Sequence, residues 1–93
     1  MSPQEKAQWR HDNIDDMRTR LARMVRQTEQ RLRARGFRIT RAEIIADLRV
    51  ALPFTRDKVT TILVRTKQDP ELFDVCSELM DHVYAELLRR EVS

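Results

Sequence analysis

The sequence predicts an all-α fold: one small domain of four to five helices, with a central helix-turn-helix-like pair and a long C-terminal helix. Three observations carry this. Apolar residues recur at intervals of three and four in every long segment. Helix-start signatures recur along the chain, at Ser2-Pro3-Gln4-Glu5, Thr40-Arg41-Ala42-Glu43, Thr55 and Asp69-Pro70-Glu71. One glycine and three prolines in 93 residues leave too few turn formers for a sandwich, a barrel or a hairpin-rich fold.

Residues 1–35 form the Arg-rich N-terminal helix. Ser2 caps it, Pro3 takes the first helical position and Glu5 completes a capping box. The helix runs through Trp9, and Asp12 with Asn13 either continue it or restart it. Beyond that point Ile14, Met17, Leu21, Met24, Val25, Thr28 and Leu32 share one face. Gly36, the only glycine, supplies a stop.

Residues 40–67 form the helix-turn-helix-like pair. Thr40 and Glu43 make a second capping box, and Ile39 with Ile44 a hydrophobic staple. Ile44, Ile45, Leu48 and Leu52 face the core until Pro53 ends the helix. Thr55 starts its partner, which buries Val59, Ile62 and Leu63. The last helix, 69–91, carries an apolar arc of roughly 200° at about 100° per residue. A surface helix needs only ~100° of apolar stripe. Leu72, Cys76, Leu79, Met80, Val83, Tyr84 and Leu87 are therefore expected to serve as a dimerisation surface for a second copy of the chain.

Charge divides the chain further. The net charge of +3 hides a segment, 18–67, with fourteen basic and four acidic side chains, and another, 68–93, with two basic and seven acidic ones. Fifteen of the eighteen basic residues are Arg, whose planar fork suits phosphates and guanine edges. Such segregation points to a polyanion partner for the middle of the chain. The expectation is a small dimeric DNA-binding protein, a transcriptional regulator or a plasmid or phage maintenance factor. Arg56, Lys58, Thr61 and Arg65 would enter the groove of double-stranded DNA, while Arg41, Arg23, Arg26 and Arg33 hold phosphates. The competing expectation is a helical adaptor or inhibitor that binds a partner protein. In a third arrangement the arginines pair with a ridge of acids on the last helix, Asp74, Glu78 and Asp81.

Enzymatic chemistry finds little support. Cys76 lies inside the apolar arc, as an inert thiol does. His82 lies near Glu78 and Glu86, and His11 near Asp12 and Asp15, but no His pair has metal-ligand spacing. A single glycine cannot build the usual phosphate loop, so neither cofactor nor metal is expected. No apolar run reaches the ~18–20 residues of a membrane span, and the first residues form no apolar leader, so a cytoplasmic chain is expected.

Overall fold

The computed structural model describes residues 1–50 and 70–92. They form three helices: α1 (Pro3–Ala34), α2 (Arg41–Val50) and α3 (Pro70–Val92). Among the described residues all regular structure is helical, so the all-α class stands, while the count of four to five helices is not matched. The segment predicted as the second helix of the central pair lies outside the described residues, with Arg56, Lys58, Thr61 and Arg65.

Helix α1 does not break at Asp12. Its polar side chains there bond along the helix instead of capping a new one. The Asn13 amide donates to the Trp9 carbonyl at 2.8 Å and Gln8 donates to Asp12 at 2.8 Å, each across one turn. The result is one helix of 32 residues, ~48 Å long. Both predicted capping boxes form. The Glu5 amide donates to Ser2 Oγ at 3.1 Å and the Ser2 amide to Glu5 Oε1 at 3.3 Å. Thr40 and Glu43 exchange the same two bonds at 3.2 Å. Ile39 packs against the core to which buried Ile44 belongs.

The core is built where the three helices meet. Met17, Leu21 and Val25 come from α1, Ile44 and Ile45 from α2, and Cys76, Leu79, Met80, Val83 and Tyr84 from α3. Tyr84 is fully buried, and its hydroxyl donates to Met24 Sδ at 3.6 Å. Burial pushes that phenol up to about 12.

The broad arc of α3 thus has a different explanation from the one the sequence suggested. Both α1 and α2 pack on α3, so two sides of the helix are covered within one chain. Cys76, Leu79, Met80, Val83 and Tyr84 are buried in that core and present no surface to a second copy. Leu72 and Leu87 are half-buried. An arc of this width reports two helical neighbours, and nothing in it requires them to come from another molecule.

Ion pairs show the direction of each helix. The N-terminal ammonium meets Glu71, Arg10 meets Glu78 at 3.7 Å and Arg18 meets Glu86 at 2.9 Å, so α1 and α3 run parallel. Arg41 lies 3.8 Å from Glu91 and Arg49 lies 2.7 Å from Asp81, so α2 runs antiparallel to α3.

Candidate nucleic-acid interface

The arginines fall into two groups. One group is matched by acids. Arg18 grips Glu86 with two parallel bonds of 2.9 Å, and Arg49 grips Asp81 with bonds of 2.7 and 3.2 Å. These are fork-to-fork pairs, the geometry that gives a guanidinium its directional grip. Arg18 holds the Glu86 carboxyl down at about 2, and Arg49 lowers that of Asp81. His82 adds a contact of 3.0 Å to Glu86, and Arg20 pairs with Asp16 at 2.7 Å. Two of the ridge acids named from the sequence, Glu78 and Asp81, therefore do pair with arginines, although the arginines belong to the first half of α1 and to α2.

The second group has no such partners. Arg23, Arg26, Arg31, Arg35 and Arg38 make no ion pair or side-chain hydrogen bond among the described residues. All five are exposed. They occupy the later half of α1 and the connection to α2. The physical reason is the parallel register: Arg18 of α1 already lies at the level of Glu86 of α3, so the acids of α3 are nearly used up halfway along α1. Arg31 and Arg33 in the last turn of α1 also complement the negative end of its dipole, a structural role that leaves their guanidinium groups accessible.

Two sequence-predicted phosphate contacts have partners within the chain. Met17, Leu21, Val25 and Glu29 stand one turn apart on the buried face of α1, and the fourth position of that row is a carboxylate only 7 % exposed. Arg41 donates to both Glu29 oxygens, at 3.2 and 3.1 Å, and Arg33 approaches at 3.6 Å. The bonds from Arg41 lower the Glu29 carboxyl below its ordinary range. Arg41 is thus a clamp between α1 and the start of α2 before it is anything else. Arg33 remains mostly exposed, whereas Arg23 and Arg26 stand fully within the unmatched group.

The turn after α1 adds an aromatic ring to this surface. The Phe37 amide donates to the Leu32 carbonyl and the Gly36 amide to the Arg33 carbonyl, both at 3.0 Å. With Gly36 at φ +85°, this pairing is a Schellman motif. Phe37 is 59 % exposed and shares a shallow depression with Arg33, Arg38 and Thr40. Sequence reasoning passed over Phe37, although a Gly-Phe pair between arginines was visible. It also passed over Glu29 as a buried group, although its place in the four-residue row was legible.

Among the described residues, no three His, Cys, Asp or Glu side chains converge as metal ligands would, and no helix is long and apolar enough to cross a membrane. Comparison with protein-family models, curated proteins and solved structures returns no match for this chain.

Proposed function

We propose that the chain is a small DNA-binding protein that holds phosphates with the unmatched arginines of α1 and its following turn. The sorting of the arginines carries this reading. A protein that used Arg only for cohesion would distribute its acids among all of them. Here the acids serve Arg10, Arg18, Arg20, Arg33, Arg41 and Arg49, while Arg23, Arg26, Arg31, Arg35 and Arg38 are left to solvent. Five cations with one shielded acid between them form the electrostatic footprint expected of a phosphate-binding face.

In this reading α2 is the first helix of a helix-turn-helix-like pair, with 55–67 as the reading segment. Arg56, Lys58, Thr61 and Arg65 approach base edges and Arg23 and Arg26 fix the register on the backbone. A regulator of transcription or a plasmid or phage maintenance factor fits this scheme. Among the described residues one chain supplies the core, and dimerisation would match DNA half-sites about one turn, ~34 Å, apart.

A titration with random-sequence duplex at 50 and 200 mM salt tests the proposal. About six phosphate contacts predict a ~10³-fold loss of affinity between the two. Arg23→Glu with Arg26→Glu should abolish binding while leaving the fold intact. No binding at 50 mM salt would sink the proposal and leave a helical adaptor for a protein partner as the better reading.

A further inference from the structure

We propose that Phe37, flanked by Arg33 and Arg38, is a stacking site for an unpaired nucleobase, so that the chain prefers DNA with a single-stranded segment over fully paired duplex. The inference rests on the nucleic-acid reading above and names the form of the ligand.

The geometry begins with the backbone. The Schellman motif fixes residues 36 and 37 against the last turn of α1, and the Thr40–Glu43 capping box fixes the start of α2. Between them the connection has little freedom. In such a motif the residue after the glycine commonly covers the apolar side chain three positions before the cap, here Leu32. Phe37 keeps more than half of its surface in water. An apolar ring held out by a stiff turn is a preorganised contact, because little conformational freedom remains to be lost on binding.

The surroundings select the occupant. The depression beside the ring is lined by Arg33, Gly36, Phe37, Arg38, Ile39 and Thr40. It offers guanidinium groups at the edge and a flat ring with aliphatic surface beside it. A single nucleic-acid strand presents that combination: a phosphate chain with bases whose faces are free to stack. A base inside a duplex has both faces covered by its neighbours and cannot lie on the ring. An acidic peptide would match the arginines but offers Phe37 a planar partner only where it carries an aromatic side chain, whereas every nucleotide of a strand carries one.

The test compares a short oligothymidine strand with a blunt random-sequence duplex at 50 mM salt, using wild type, Phe37→Ala and Phe37→Trp. Phe37→Ala should weaken strand binding by ~5- to 100-fold, the range for loss of one base–aromatic stack. Duplex affinity should change by less than about 2-fold, the scale of a surface substitution that removes no phosphate contact. Phe37→Trp should restore strand binding, and an unchanged helical circular dichroism signal should show that all three chains are folded. The inference falls if Phe37→Ala leaves strand affinity unchanged or weakens strand and duplex equally, while the DNA-binding reading survives either result. It also falls if Phe37 governs binding of poly-glutamate and not of the strand, which would make the partner an acidic protein. Failure of wild type to bind either DNA overturns both.

Discussion

Glu86 and Leu21 show how different the consequences of single side chains are in a domain this small. The Glu86 carboxyl is depressed because Arg18 bonds both of its oxygens. Its unfolded value is about 4.3. A depressed carboxyl contributes stability that is fully present above the unfolded value and is lost as pH falls through the folded one. Thermal melts should therefore show a loss between about pH 4.5 and pH 2 that Glu86→Gln reduces. Leu21 acts through volume. It is fully buried, so Leu21→Ala should destabilise by ~2–5 kcal/mol in denaturant titrations, a large share of the stability of so short a chain. Cys76 is buried in the same core and should react with thiol reagents only after unfolding. None of these contacts could be derived from the sequence as pairs. The sequence showed which residues face inward, but a partner across helices depends on register, which no local pattern encodes.

Element boundaries were the most legible level, because caps are local chemistry. Ser2 with Glu5 and Thr40 with Glu43 lie three residues apart and meet as their spacing predicts. Ser2→Ala should cost ~1 kcal/mol by removing the acceptor for the Glu5 amide, measurable as a shift in the urea midpoint. Gly36 makes a sharper case. A Cβ there would meet no atom within 4 Å, so the cost of Gly36→Ala is conformational alone. At φ +85° it should be ~1–2 kcal/mol, again read from the urea midpoint. A larger loss would mean that the turn also carries packing. The continuity of α1 through Asp12 was not decidable beforehand, since Asp and Asn serve equally as caps or as side chains bonded one turn away. The width of the α3 arc was read correctly from its residues, but its cause was not. Periodicity gives the angle that must be covered and is silent about what covers it.

At the scale of the whole molecule, charge is organised along the bundle axis. Acid-matched Arg10, Arg18 and Arg49 lie along the length that α1 and α2 share with α3, and the unmatched arginines gather toward the end where α1 leads into α2, around the Arg41–Glu29 clamp. The sequence announced the segregation, and only the parallel register revealed which arginines it leaves over. Mutual repulsion among those five opposes folding weakly. A polyanion such as heparin should therefore raise the melting temperature by binding the folded chain, and excess salt should cancel that gain. Arg49→Glu should lower the melting temperature by setting a second acid against Asp81, whereas Arg35→Glu should leave it unchanged or raise it slightly.

The buried carboxylate at the end of the α1 row also decides between competing arrangements. Ile45 stands one turn beyond Arg41 on the same side of α2. If α2 slid one turn along its neighbours, ~5.4 Å, isoleucine would stand opposite Glu29 and the carboxylate would lose both Arg41 bonds, keeping only the longer contact to Arg33. The slid arrangement, otherwise acceptable to a row of aliphatic side chains, is thereby penalised. Glu29→Met combined with Arg41→Met should retain the helices and much of the stability, yet lose the single set of sharp methyl resonances that one docking position produces.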